Sequence, residues 1–141
     1  MSVPTVVFDT NVLVAELAFP EEPAVCVDLA ETGVVEAAVT PALLREFAAV
    51  LAYDHLPLAD RPPRHRARAV ERVVGVARPV EPAVRIDAAP DEDDDAVLEC
   101  AVAAAADVVV SDDRHLRELD GVAGVGVVPR AAFRERYADG E

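Results

Sequence analysis

The sequence predicts an α/β fold in which a mostly parallel sheet of four to five strands lies between two layers of helices. Three observations carry this. Short β-branched runs at residues 6–8, 34–39 and 108–110 read as strands buried on both faces. Helical periodicity separates them, as in successive βαβ units. The first and third runs are followed by carboxylates, at Asp9 and at Asp113, and open parallel sheets bind ligands beyond their strand ends.

Taken in order, residues 6–8 form the first strand and residues 12–17 a short helix that stops before Phe19-Pro20, since proline disfavours helix at the residue before it. Residues 21–31 read as a second helix, with acids in its first turn and Gly33 as its stop. After the strand at 34–39, Thr40 is a good N-cap with Pro41 at the first helical position. The helix from 41 to about 52 places Leu43, Leu44, Phe47, Val50 and Leu51 on one face, and Glu46 is its only acid. Residues 53–63 connect it to a helix at 64–77. There Ala67, Val70, Val73, Val74 and Ala77 face inward, and Arg64, Arg68 and Arg72 recur every four residues as an exposed basic stripe. Val84 and Ile86 suggest a short strand or an extended segment leading to 87–90. The acidic run 91–95 then opens a helix containing Val97, Leu98, Cys100, Ala101 and Ala104. A strand at 108–110, a short helix bearing Leu116 and Leu119, a strand at 125–128 and a closing helix at 131–137 complete the chain. No repeat or linker divides it, so residues 1–141 are expected to form a single domain.

Composition narrows the function. With 52% apolar residues the chain can bury a substantial core. No apolar run reaches the ~20 residues of a membrane span, and Pro4 and Asp9 interrupt any signal-like start, so a cytoplasmic location without membrane attachment is expected. Cys26 and Cys100 fall within apolar helical patterns and read as buried thiols of a reducing compartment. The formal charge of −14 opposes broad nucleic-acid binding through charge alone. It leaves room for a local basic face and for a carboxylate pocket neutralised by metal.

The acids themselves are the strongest signal. Asp9 and Asp113 follow strands that would emerge on one sheet edge. Asp94 and Asp95 open a helix, and Glu46 lies in the first turns of another, where helix starts point toward that edge. Capping alone could explain the run 91–95 or the pair Asp112 and Asp113, because acids at helix starts gain ~0.3–1 kcal/mol. Asp9 is harder to dismiss, since a carboxylate ending a buried strand needs a partner. Two carboxylates ~4 Å apart repel by ~4 kcal/mol at an effective dielectric of 20. A converging set therefore requires raised pKa values or bound cations. The chain has no lysine, and no arginine adjoins Asp9 or Asp94 in sequence. Arg45 and Arg114 adjoin two other acids. Divalent metal is the simpler counter-charge, and an all-oxygen set suits Mg²⁺ or Mn²⁺.

The chain resembles the PIN-domain family, Mg²⁺/Mn²⁺-dependent ribonucleases that include the VapC-type toxins of toxin–antitoxin pairs. Asp9-Thr10-Asn11 matches the signature that ends the family's opening strand. Glu46, the run 91–95 before Val97-Leu98, and Val108 to Asp113 followed by Leu116 match its later acids in the right order, from residue 3 to about 128. The resemblance implies a three-layer α/β/α sandwich and hydrolysis of RNA phosphodiesters. It assigns Asp9, Glu46, Asp95 and Asp113 as metal-holding, catalytic acids. Asp94 competes with Asp95 as the third of these, because adjacent helical residues point about 100° apart. Asn11 and Ser111 would orient carboxylates or water, with Asp112 behind Asp113. Read from the residues alone, Arg64, Arg68 and Arg72, with Arg61 and Arg66 nearby, form either a phosphate-contacting stripe or a solvated helix face. The implied partners are RNA, a second copy of the chain in a homodimer, and a cognate antitoxin. Leu13, Leu17 and Phe19 are the expected apolar contacts.

Other readings fare worse. Receiver domains and haloacid-dehalogenase-like phosphatases require a lysine. The only serines, Ser2 and Ser111, exclude a Gly-x-Ser-x-Gly hydrolase. No dinucleotide loop, phosphate-binding P-loop or zinc spacing occurs. A PIN-like module without turnover and a DNA-directed nuclease remain as alternatives.

Overall fold

Asp9 owes its position to the order in which the strands pair. The computed structural model describes residues 3–19, 23–53, 56–86 and 92–138, apart from the side chains at 59, 60 and 92–94. In it β1 (Thr5–Phe8), β2 (Glu36–Val39), β3 (Ala77–Pro79), β4 (Val108–Val110) and β5 (Gly126–Val128) form one sheet in the order β3-β2-β1-β4-β5. All four pairings are parallel, with Val6 opposite Val108 and Phe8 opposite Val110. From β1 the chain winds outward to β2 and β3, then crosses back and winds out through β4 and β5 on the other side. Strand order therefore reverses between β1 and β4, and the crevice at such a switch point is where open sheets take ligands.

Alternation along the strands builds a layer on each face. Val6, Phe8 and Val110 pack with α1 (Thr10–Leu17), α2 (Val25–Glu31) and Phe133 of α7 (Arg130–Tyr137). Phe8 and Phe133 meet edge to face, with centroids 5.7 Å apart. Val7 and Val109 pack instead with Val97, Leu98, Cys100 and Ala101 of α5 (Glu92–Ala103) and Leu116 of α6 (Arg114–Arg117). The result is the expected α/β/α sandwich, with its sheet wholly parallel.

The helix α3 (Pro41–Leu51) starts as its sequence demands, with Thr40 Oγ1 accepting from the Leu43 amide and Pro41 in the first turn. Leu43, Phe47 and Leu51 are its buried stripe. Elsewhere the structure corrects the sequence reading. The helix α4 (Pro63–Val76) ends one residue early and runs directly into β3, so the third strand is Ala77–Pro79 and not the Val84–Ile86 region. Pro79 lacks an amide donor, but β3 is an edge, where proline is tolerated. The buried side of α4 is Ala69 and Val73, while Ala67 and Val74 are exposed. The helix expected at 21–31 begins only at Val25, with residues 21–22 outside the described set.

At the far edge, Val128 O accepts from Ser111 N, so Val128 faces β4 and Val127 faces outward. Asp120 Oδ1 takes the Val127 amide at 2.7 Å, and Gly121 N donates to Val125 O at 2.8 Å. Among the described residues, no helix is long and apolar enough to cross a membrane.

Candidate active site

The pairing of β1 with β4 continues one residue past the strands, where Asp9 N donates to Val110 O at 3.0 Å. This brings the turns after β1 and β4 side by side. Asp9 is buried, 5% exposed, at the head of α1. Its Oδ2 accepts from the fully buried Ser111 Oγ at 2.7 Å. The Ser111 hydroxyl oxygen in turn accepts from the Asp113 amide at 3.0 Å, which fixes the start of the Asp113 turn. Burial pushes the Asp9 carboxyl above the ordinary carboxylate value and the neighbouring Asp113 charge pushes it further. The Ser111 hydroxyl and the amides of Asn11 and Thr10 pull the other way, without cancelling the rise. No ion pair to Asp9 forms among the described residues.

Glu46 reaches the same place from α3. Its Oε2 accepts from Thr10 Oγ1 at 3.2 Å, and Thr10 is the residue after Asp9. Asp113, on the loop between β4 and α6, caps α6 through the His115 amide at 2.8 Å. Asp95 is buried, 6% exposed, near the start of α5, which packs against β1 and β4. The structure thus gathers Asp9, Ser111, Asp113 and Glu46 around the switch point. The Asp94 side chain lies outside the described residues, and with it the choice between Asp94 and Asp95. Asn11 contributes its amide to Asp9, and its side chain is exposed. Asp112 is exposed and holds the first amide of α7, with Arg130 N donating to its Oδ1 at 2.8 Å. Among the described residues, no three Asp, Glu, His or Cys side chains converge closely enough to ligate one ion.

The basic stripe divides. Arg72 is held by Asp28 and Glu31 of α2, so it belongs to the scaffold. Arg66 donates to the Leu58 carbonyl. Arg64 and Arg68 are exposed, with Arg61 beside them, and these three make no ion pair among the described residues. They crowd His65, whose imidazole is held below its usual value by burial and by the three guanidinium charges. Of the apolar contacts expected near the rim, Leu13 is buried in the core, while Phe19 is 37% exposed.

Sequence reasoning missed two groups. Thr10 enters the sequence reading only as part of the Asp9-Thr10-Asn11 motif, whereas its hydroxyl donates to Glu46. Glu16 passed unnoticed, although an acid within the apolar run Val12 to Leu17 was a signal. Its carboxylate is buried and bound to Arg130.

A family model described as PIN domain matches residues 5–115, and the chain belongs to the PIN-domain family, whose members are generally nucleases and usually use divalent metals. No curated protein matches it.

Proposed function

We propose that this chain is a Mg²⁺- or Mn²⁺-dependent ribonuclease in which Asp9, Glu46, Asp95 and Asp113 hold the metal directly or through water. The observation that carries this reading is Asp9, a buried carboxylate with a second acid beside it and no cationic partner among the described residues. A bound cation relieves both the burial and the repulsion that raise its pKa. The donors are all oxygens, which suits these ions. Mg²⁺ keeps several waters and is commonly held by one or two carboxylates together with substrate phosphate.

A bound metal lowers the pKa of its water and stabilises charge on the phosphate and leaving oxygens. The chain's own groups prepare the site. Ser111 fixes one oxygen of Asp9, Thr10 fixes Glu46, and the hydrogen bond from the Asp113 amide to Ser111 couples the third acid to the first. No side-chain nucleophile is needed. Arg61, Arg64 and Arg68 are the phosphate-docking group, with Arg72 released from that role by its own ion pairs. On this reading the protein is the toxin of a toxin–antitoxin pair, acts on RNA in the cytoplasm as a homodimer, and is silenced by a cognate antitoxin.

The test is cleavage of RNA with Mg²⁺ or Mn²⁺ present. Asp9→Asn is expected to abolish it while the fold persists. Cleavage that continues in the variant, or in excess EDTA, overturns the assignment. Thermal stabilisation by Mn²⁺ without any cleavage would identify a binding module instead, and turnover of DNA alone a DNA nuclease.

A further inference from the structure

Glu16 is among the largest fully buried side chains, yet none of the chemistry above uses it. Its Oε1 accepts from the Val27 amide at 2.9 Å and its Oε2 from the Cys26 amide at 3.0 Å, so it closes the open start of α2 from outside that helix. Oε2 also receives Nε of Arg130 at 3.1 Å. Arg130 is the first residue of α7, and its own amide donates to Asp112 Oδ1 at 2.8 Å. Asp112 stands between Ser111, which holds Asp9, and Asp113. Glu16 belongs to α1, which starts at the residue after Asp9. One residue therefore fastens both the helix that follows Asp9 and the turn that carries Asp113.

We infer that Arg130 is a positioning residue that sets the spacing between Asp9 and Asp113. Its guanidinium pins α7 to α1 through Glu16, and its amide pins the Ser111–Asp112–Asp113 turn to the same helix end. The start of that turn is fixed a second time by Ser111 N donating to Val128 O at 2.9 Å, which leaves Asp112 as the tie at its centre. The match to the family ends at residue 115, so α7 supplies this clamp from beyond it. The purpose of the spacing rests on the metal-dependent reading above, since carboxylates that share a cation must be held to a few tenths of an ångström by the groups behind them. The clamp itself does not depend on that reading.

Two variants of the full chain separate the links. Asp112→Ala removes the tie to the turn and leaves the buried ion pair whole. Glu16→Gln combined with Arg130→Met removes the pair without leaving a lone buried charge. Arg78→Met, which breaks an ion pair to Glu36 on the β2–β3 side of the sheet, is the control. Two quantities are read, hydrogen exchange at the Asp113 amide and Mn²⁺ affinity by electron paramagnetic resonance. In both test variants, exchange at Asp113 is expected to quicken about tenfold and Mn²⁺ binding to weaken about tenfold, with the control unchanged. Wild-type exchange at Asp113 in the folded variants overturns the inference. Faster exchange with unaltered Mn²⁺ affinity also overturns it, since the network is then scaffold only. If the double variant does not fold, Asp112→Ala decides alone. A wild-type chain that binds no Mn²⁺ would remove the metal reading, and exchange at Asp113 would still decide the clamp.

Discussion

Burial of the Asp9 carboxyl makes stability depend on pH. Its folded pKa lies above the ordinary 3.8, chiefly through burial and then through Asp113. Between those two values the folded chain binds more protons than the unfolded one, so stability falls as pH rises through that window. Above it the penalty is fully present. In metal-free protein Asp9→Asn should therefore be more stable than wild type at neutral pH, and the advantage should shrink as pH falls toward 3.8, as read by urea unfolding. The two thiols give a second prediction. Burial pushes Cys26 up strongly and Cys100 up to about 11, so iodoacetamide at pH 8 should modify neither until the protein unfolds. Asp9 was legible in the sequence because a carboxylate at the end of a buried run has few innocent explanations. Glu16 stood out only as an acid in an apolar run, and its role was hidden because the arginine that neutralises it lies 114 residues away.

Helix ends show how far local sequence decides an element. Gly33, at φ 83°, ends α2, and Val34 N closes the turn on Leu29 O at 3.0 Å. The same closure ends α5, where Ala106 N donates to Ala101 O at 2.8 Å, but the left-handed residue is Ala105 at φ 53°. A side chain there costs ~1 kcal/mol or more. Ala105→Gly should raise unfolding free energy by about 0.5–1 kcal/mol in urea, after the loss of backbone freedom is subtracted. The first of these stops was readable from its glycine and the second was not. The third strand was misplaced for a similar reason. The stretch Val76-Ala77-Arg78-Pro79 carries no alternation, and only docking against β2, with Arg78 on Glu36, makes it extended. By contrast α5 buried the residues its periodicity required, and α3 buried Leu43, Phe47 and Leu51 while Leu44 and Val50 are half-buried.

For the whole molecule, the −14 formal charge predicts self-repulsion that salt should relieve. Raising NaCl from about 20 to 200 mM should increase the melting temperature and, under the phosphate-docking role proposed for Arg61, Arg64 and Arg68, weaken RNA binding. Alternating β-branched runs and helices foretold the three layers and the buried central strands β1 and β4, whereas β3 at the edge leaves Arg78 and Pro79 exposed. They could not foretell how α7 returns across the sheet to grip α1, since that contact depends on tertiary packing alone. The finish of β5 has a consequence for how molecules of this protein can meet. Asp120 and Gly121 have claimed the outward amide of Val127 and carbonyl of Val125, and the opposite rim ends in Pro79, which has no proton to offer. Lateral growth of the sheet from one molecule into the next is thus discouraged on either flank.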